Sequence, residues 1–219
     1  MMDDLFQDQA PDLPERQALG PESCLLRHTL QTTACQLMAD IQTLTATHPF
    51  QHMVTRSGHA MSVATSSCGD YGWVSDAQKG YRYAATHTET GQPWPTIPPQ
   101  WCALATALAE NAGFNGFHPD SALINRYAVG ARMGLHQDRD EATLAWPIVS
   151  LSLGLPARFM FGGMHRQAPV EEITLLHGDV VVWGGVDRLR FHGIRPLKAG
   201  HHSLTGPYRY NITFRRVQP

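Results

Sequence analysis

The chain has 219 residues and a net charge of −2, with 42% apolar and 16% charged residues. This size and composition are typical of one globular domain with its own hydrophobic core, and the length is too small for two comfortable domains. Proteins that grip a nucleic-acid duplex are usually basic, because they neutralise its phosphates. The net charge of this chain is close to zero, so any nucleic-acid site must be local. No apolar run approaches the roughly 20 residues of a membrane helix, which excludes a membrane-spanning helix.

Residues 1–20 are predicted to form a flexible lead-in before a single domain over 21–219. The lead-in is acidic and contains proline, and it lacks the basic start and apolar core of a secretion signal. The four cysteines are widely spaced without a CxxC pair, which is typical of a reducing compartment. We therefore expect a cytoplasmic protein without membrane association.

Two amphipathic helices are predicted in the first half of the chain. Residues 31–46 carry apolar side chains at three- and four-residue spacing, which is the period of a helix with one buried face. Residues 99–112 repeat this pattern, with Pro99 in the first turn and Gly113 as a C-terminal stop.

The segment between the helices, residues 49–96, is rich in threonine, serine, glycine and aromatic residues. Short alternating runs over 59–65 and 81–85 predict strands that are joined by mobile loops. A loop-rich segment placed before the core of a domain is often where substrate specificity lies.

After residue 120 the sequence has a clear strand period. The strands are predicted at 123–127, 148–153, 158–161, 173–176, 180–183 and 208–214, separated by Gly, Pro and His-Gly turns. Many short strands, with the helices collected toward the N-terminus, predict an α+β fold: a jelly roll, or double-stranded β-helix, over 120–219 that is backed by N-terminal helices.

A candidate metal site begins with His136 and Asp138. Residues two apart on a strand share one face, so both side chains can point at one ion. Two imidazoles and one carboxylate are the usual ligands of a non-haem Fe(II) that keeps positions open for oxygen chemistry. Spacing leaves the third ligand open, with His192 favoured because it follows an apolar stretch and precedes a glycine. The downstream candidates are His165, His177, His192, His201 and His202.

The last predicted strand carries polar residues on one face and apolar residues on the other. The polar face consists of Arg209, Asn211, Thr213 and Arg215. Two inward arginines need an anion, because a buried guanidinium requires a charged partner and binds a carboxylate bidentately. We therefore expect a small dicarboxylate beside the metal, with Asn125 and Tyr127 of an earlier strand offering further hydrogen bonds.

Several long strings resemble the AlkB family of Fe(II)/2-oxoglutarate dioxygenases, which repair alkylated DNA bases. They are LINRYA (123–128), LHQDRDE (135–141), PIVSLSLGLPARFMFGG (147–163), HGDVVVWGG (177–185), RFHGI (190–194) and RYNITFR (209–215). In the first half, PFQHMVT, MSVATSSCG, GWV and GYRY resemble the family's nucleotide-recognition lid, which would cover residues 49–96. The resemblance extends over nearly the whole chain.

The resemblance implies roles for particular residues. It implies iron ligands at His136, Asp138 and His192. It implies 2-oxoglutarate contacts at Asn125, Tyr127, Arg209, Asn211 and Arg215, the last of which would steer the keto-acid end and so take part in catalysis. It implies base stacking on Trp73 and His136, with Tyr81, Asp140, Glu141 and Arg166 around the base and its phosphate, and lid contacts from Thr55 and Met61.

The resemblance also implies an activity: oxidative removal of the methyl group from 1-methyladenine or 3-methylcytosine, with Fe(II) as the cofactor and with O2 and 2-oxoglutarate as the co-substrates. The expected partner of the monomer is alkylated DNA, single-stranded or with a flipped base, and RNA is an alternative. Three rival hypotheses remain: a related oxygenase of proteins or small molecules, a non-catalytic jelly-roll binding module, and a zinc hydrolase that uses the same three ligands.

Overall fold

Residues 15–219 are described by a computed structural model. The helices are α1 (Ala34–Thr47) and α2 (Pro99–Asn111), and a 3₁₀ turn covers Gly185–Asp187. The strands are β1 (Arg16–Gly20), β2 (Ser23–Leu26), β3 (Ala64–Gly69), β4 (Gly72–Asp76), β5 (Gly80–Ala84), β6 (Ser121–Tyr127), β7 (Met133–His136), β8 (Ile148–Gly154), β9 (Ala157–Phe161), β10 (Glu171–Leu175), β11 (Val180–Trp183), β12 (His192–Ile194) and β13 (Arg209–Arg215). Neither helix in this part of the chain has the length and hydropathy to cross a membrane.

Two antiparallel sheets pack face to face. The larger sheet has seven strands in the order β1-β2-β11-β8-β13-β6-β3, and the smaller has four in the order β10-β9-β12-β7. A separate hairpin pairs β4 with β5. The predicted jelly roll with helices behind it is confirmed.

The larger sheet is buried on both faces, as strand β11 illustrates. Val180 and Val182 pack with the helices, whereas Val181 and Trp183 pack against the smaller sheet. A strand that is covered on both sides is apolar at every position, which explains the run of three valines and a tryptophan. One apolar layer therefore fixes the helices, and a second layer joins the two sheets.

Both predicted helices are present, with small differences at their ends. Helix α1 begins three residues later than predicted, because residues before Ala34 form turns in which Thr33 Oγ1 donates to the carbonyl of Leu30. Helix α2 begins at Pro99, whose fixed φ and missing N–H suit a first helical position.

Some predicted boundaries are wrong because the pairing that decides them is long-range. The predicted flexible lead-in includes residues 16–20, yet these form β1 and pair with β2; residues 1–14 of the lead-in lie outside the described residues. Strand β3 pairs with β6 in the larger sheet, so the jelly roll draws on strands from before residue 120. The strand predicted at 59–65 begins only at Ala64, because residues 54 and 60 close a turn by a bridge.

Candidate active site

A cavity of about 720 Å³ opens between the two sheets beside the β4–β5 hairpin. All of the residues that the sequence singled out as ligands, co-substrate contacts or base contacts line it: Thr55, Met61, Trp73, Tyr81, Asn125, Tyr127, His136, Asp138, Asp140, Glu141, Arg166, His192, Arg209, Asn211 and Arg215. The fold thus collects groups from residue 55 to residue 215 around one space.

Three of these residues meet at the paired ends of β7 and β12. His136 and His192 are direct partners across the two antiparallel strands, and their ring centroids are 4.4 Å apart. Asp138 follows β7, and its Oδ1 lies 3.4 Å from His136 Nε2 and 3.8 Å from His192 Nε2. One donor atom from each of the three residues lies within 4.8 Å of the others. Three donor atoms this close together can coordinate a single metal ion.

Both imidazoles are oriented by backbone carbonyls. His136 Nδ1 lies 2.9 Å from the carbonyl oxygen of Gly134, and His192 Nδ1 lies 3.0 Å from that of Arg190. A carbonyl oxygen can only accept, so each Nδ1 carries a proton, and Nε2 is the ring nitrogen that faces the cluster and can bind a metal. Burial lowers the pKa of His192 to about 4, so its imidazole is neutral at pH 7. The geometry therefore suits metal ligation.

Asp138 is held in its charged form by an arginine. Burial would raise its pKa, but the Arg215 guanidinium overcomes this effect and holds the pKa of Asp138 well below its usual range. Arg215 Nε lies 3.1 Å from Asp138 Oδ2, and its Nη2 also contacts that oxygen. One carboxylate oxygen is thus fixed by the arginine, while Oδ1 faces the two imidazoles.

The donor set fits Fe(II). Two imidazoles and one carboxylate form the facial set typical of non-haem Fe(II) oxygenases, which leaves positions open for other ligands. His136, Asp138 and His192 would hold the ion, and each Nδ1 contact to a carbonyl supplies the outer hydrogen bond that metal-binding histidines normally have.

A buried arginine lies on the same cavity without a carboxylate partner. Arg209 is 1% exposed, and its Nη2 donates to Ser152 Oγ at 2.8 Å. Its Nε and Nη1 have no hydrogen-bond partner, and no carboxylate of residues 15–219 lies within ion-pair distance of it. Burial accordingly lowers the pKa of Arg209 to about 10. A carboxylate bound in the cavity would satisfy these donors, so the residues present fit 2-oxoglutarate.

Polar groups from neighbouring strands surround Arg209. Asn125 Nδ2 donates to Asn211 Oδ1 at 3.0 Å, and Asn211 Nδ2 donates to Ser150 Oγ at 2.8 Å. The hydroxyl of Tyr127 stays protonated, because burial raises its pKa to about 12. This part of the cavity is therefore built from hydrogen-bonding groups on β6, β8 and β13.

Arg215 and Glu141 differ from the sequence interpretation in what they contact. Arg215 was expected to meet the co-substrate, yet its Nε and Nη2 are directed at Asp138, and its Nε also lies 3.2 Å from Glu141. Glu141 was expected to contact the base, yet its buried carboxylate accepts from Tyr83 and lies 3.2 Å from Arg188. The charge of Glu141 is thus already matched by two arginines.

The hairpin β4–β5 contributes an aromatic wall. Trp73 and Tyr81 stack with ring centroids 5.5 Å apart and an angle of 16° between the planes. They are diagonal neighbours on one face of the hairpin, where long side chains can reach each other. Trp73 Nε1 lies 3.4 Å from Asp140 Oδ2, so an exposed carboxylate stands at the edge of this wall.

The remaining predicted contacts lie on the rim of the cavity. Arg166 Nη1 donates to the carbonyl of Leu135 at 2.8 Å, and its guanidinium lies over the ring of Phe191. Thr55 Oγ1 donates to the carbonyl of His59 within a lid turn, and Met61 lies at the end of the same turn. These residues come from two separate segments and border the same opening.

The other candidate histidines lie elsewhere. His177 and His202 pack against each other with ring centroids 4.4 Å apart and an angle of 36° between the planes, and each Nδ1 accepts a backbone N–H. His165 and His201 also lie outside the group of three donors. The choice of His192 depends on the pairing of β12 with β7, which the sequence does not display.

Several lining or supporting residues were missed. Ser150 of β8 lines the cavity and Ser152 of the same strand accepts from Arg209, and their alternation with Leu151 and Leu153 is a signal that could have revealed them. Tyr83 could have been found as a same-face neighbour of Tyr81. No sequence signal identifies Arg188, which is buried in a turn.

Comparison with known proteins agrees with this geometry. Residues 23–215 match the 2OG-Fe(II) oxygenase superfamily. The chain is 48% identical to the alpha-ketoglutarate-dependent dioxygenase AlkB of Salmonella typhimurium over 98% of this chain and 97% of that protein. The Escherichia coli protein of the same name gives the same identity and coverage. A solved structure of OsALKBH1 superposes with a TM-score of 0.81 at 27% identity, covering 92% of this chain and 99% of that chain.

These matches extend over nearly the whole length of both partners, and they include the segments that carry His136, Asp138 and His192. The enzyme class therefore follows, with Fe(II), 2-oxoglutarate and O2 as its metal and co-substrates. The chain belongs to the AlkB family of Fe(II)/2-oxoglutarate-dependent dioxygenases.

Proposed function

We propose that this protein repairs DNA by oxidative demethylation of N-alkylated bases of the 1-methyladenine and 3-methylcytosine type. The observation that carries the proposal is the stacked wall of Trp73 and Tyr81, with Asp140 at its edge, on the same cavity as the three metal ligands. A related oxygenase that acts on small molecules or proteins would share the metal site but has no need of a flat aromatic wall beside a carboxylate.

The co-substrate site follows from the charges of the inner cavity. Arg209 would bind the distal carboxylate of 2-oxoglutarate, and Asn125, Tyr127 and Asn211 would complete the hydrogen bonds around it. Arg215 holds Asp138 and keeps Nη1 for the keto-acid end. With Fe(II) bound, the reaction converts 2-oxoglutarate and O2 into succinate and CO2 and places the second oxygen atom on the methyl group, which leaves as formaldehyde.

The wall selects the substrate by shape and charge. A base stacked in a duplex cannot reach a buried metal, so it must be single-stranded or flipped out. Stacking on Trp73 contributes about 1–3 kcal/mol per base, and the positive charge of a 1-methyladenine or 3-methylcytosine adds a cation–π term. His136 provides the second flat surface, and Asp140 favours the cationic lesion over the neutral base.

The rim would hold the nucleotide backbone. Arg166 offers a guanidinium at the opening, and Thr55 and Met61 belong to the lid turn beside it. We propose alkylated DNA, single-stranded or with a flipped base, as the partner, with RNA as an alternative polymer. We further propose that the protein acts as a monomer in the cytoplasm, a reducing compartment that suits four free cysteines.

The test is reconstitution with Fe(II) under anaerobic conditions, followed by addition of 2-oxoglutarate, air and methylated single-stranded oligonucleotides. Mass spectrometry should show loss of one methyl group from 1-methyladenine and 3-methylcytosine, together with formaldehyde and with more succinate than forms without the oligonucleotide. Unmethylated oligonucleotides are the matched control. Succinate production that no methylated oligonucleotide stimulates would refute the substrate while leaving the enzyme class intact.

A further inference from the structure

Residues 187–190, which we call the brace, lie outside the cavity but touch both chain segments that carry metal ligands. Arg188 Nη1 donates to the backbone carbonyl of Asp138 at 2.6 Å. Gln137 Nε2, between the two ligands of that segment, donates to the backbone carbonyl of Leu189. The carbonyl of Arg190 accepts from His192 Nδ1. One short turn therefore contacts both segments at backbone level.

The contact with Asp138 is rigid because Arg188 is buried and each of its guanidinium nitrogens has a partner. Arg188 is 3% exposed, and its Nε also donates to the carbonyl of Trp146 at 3.0 Å. Its charge is matched by Glu141, whose carboxylate also pairs with Arg215. Since a buried guanidinium in such a network has few alternative positions, the backbone of Asp138 is fixed as well as its side chain.

The contact with His192 is rigid because the side chain of Arg190 is anchored on the opposite side. Arg190 Nε donates to the carbonyl of Gly162 at 2.6 Å, and Nη1 donates to the carbonyl of Leu19 at 3.0 Å. Its guanidinium also lies 4.3 Å from the ring centre of Phe161, the direct strand partner of His192. The carbonyl that orients His192 thus belongs to a residue whose side chain joins β1 to the end of β9.

The first residue of the brace is bound to the β1–β2 turn. Asp187 is buried, and its Oδ2 accepts from the N–H of Glu22 and from Ser23 Oγ, both at 2.8 Å. Gly20 packs directly on this cluster: a Cβ at position 20 would lie 2.4 Å from both Arg190 Nη1 and Asp187 Oδ2. The N-terminal strands therefore support the brace from the side facing away from the metal site.

We propose that the brace is the positioning element of the metal centre, and that Arg188 and Arg190 are positioning residues that hold the Asp138 backbone and the His192 imidazole in register. Neither arginine lines the cavity, so neither touches substrate or co-substrate. The inference rests on the metal site of the proposed function and not on the identity of the substrate. Outer-shell partners of this kind typically change metal affinity by about 10–100-fold when removed.

The experiment measures Co(II) binding to the metal-free full chain by titration of the Co(II) visible absorption bands, and in parallel the unfolding temperature without metal. Arg190→Gln and Gly20→Ala should each raise the Kd for Co(II) by about tenfold or more. Arg190→Lys should recover part of the affinity. Arg195→Gln is the matched control, since Arg195 pairs only with the exposed side of Glu172 and should bind Co(II) like the parent protein.

Arg188→Gln should have the larger effect, and the other two variants keep the test decisive if it does not fold. If both Arg190→Gln and Gly20→Ala bind Co(II) with the parental Kd, even with lower unfolding temperatures, the role of the brace is purely structural and the proposal is refuted. A parent protein that fails to bind Co(II) would instead overturn the metal site and the proposed function with it.

Discussion

Replacing Arg209 with methionine should change stability and co-substrate binding in opposite directions. Arg209 is buried without a carboxylate partner, and burial lowers its pKa from 12.5 to about 10. Each tenfold change in an acid constant corresponds to about 1.4 kcal/mol, so the folded chain holds this charge at a cost of about 3 kcal/mol. Methionine removes that cost and loses one hydrogen bond to Ser152, worth about 1 kcal/mol.

The variant without 2-oxoglutarate should therefore be about 2 kcal/mol more stable, which raises the unfolding temperature by about 4–8 °C in a chain of this length. A buried charge pair contributes about 2–5 kcal/mol, so the Kd for 2-oxoglutarate should rise at least about 30-fold. At a concentration about 100 times the parental Kd, 2-oxoglutarate stabilises the parent by about 2.7 kcal/mol and the variant by about 1 kcal/mol or less.

The assay is thermal unfolding under anaerobic conditions with Co(II) in place of Fe(II), with and without 2-oxoglutarate. Arg126→Met is the matched control: Arg126 lies on the adjacent strand β6, and its guanidinium covers the rings of Phe50 and Tyr208 away from the cavity. The Arg126→Met variant should keep the full gain in stability that 2-oxoglutarate gives the parent protein. If Arg209→Met keeps the full gain, Arg209 does not bind the co-substrate, and if it destabilises the ligand-free chain, its charge has a partner that we have overlooked.

Three further substitutions test the metal ligands, the aromatic wall of Trp73 and Tyr81, and the packing of strand β4 beneath that wall. Asp138→Ala should abolish methyl removal while circular dichroism stays unchanged, and parental activity would remove the iron assignment. Trp73→Ala should weaken binding of a methylated oligonucleotide by about 1–3 kcal/mol in a fluorescence titration, without slowing the 2-oxoglutarate turnover that occurs in the absence of DNA. Gly72→Ala should raise the KM for the oligonucleotide, because the added Cβ would lie 2.2 Å from the ring of Trp94 and shift β4. An unchanged KM in that variant would show that the hairpin tolerates the shift.

The elements predicted best from the sequence are those whose pattern is local. Strand β13 alternates polar and apolar residues over its full length because one face lines the cavity and the other packs on the helices, where Phe214 meets Trp101 edge-on. Strands β7 and β12 have only four and three residues, which is too short for a period to be visible. β7 pairs with β12, and β12 also pairs with β9. Pairing between distant segments is not a property of either segment.

The residues of the site also divide into those that a local pattern predicts and those that depend on long-range pairing. The spacing of His136 and Asp138 is enough to suggest a metal, since two residues on one strand face share a direction. The third ligand could not be chosen from five histidines by spacing, because the choice depends on the register that places His192 opposite His136. The arginine partners of Glu141 were not visible for a related reason: a carboxylate beside a base and a carboxylate matched by buried arginines have the same local sequence.

The distribution of charge explains how a chain with a net charge of −2 could discriminate among bases. Arg209 and Arg215 lie at the buried end of the cavity, and the carboxylate of Asp140 lies at the exposed end beside Trp73, where Arg132, Arg139 and Arg166 also line the opening. A cationic base on Trp73 would gain about 1–4 kcal/mol from a carboxylate about 4 Å away, depending on how much water separates them, and a neutral base would gain none. Phosphate contacts do not distinguish a methylated base from a normal one, so strong backbone binding would add affinity without selectivity. Selectivity for a cationic lesion thus requires one acidic group in the right place and is compatible with a weakly charged surface.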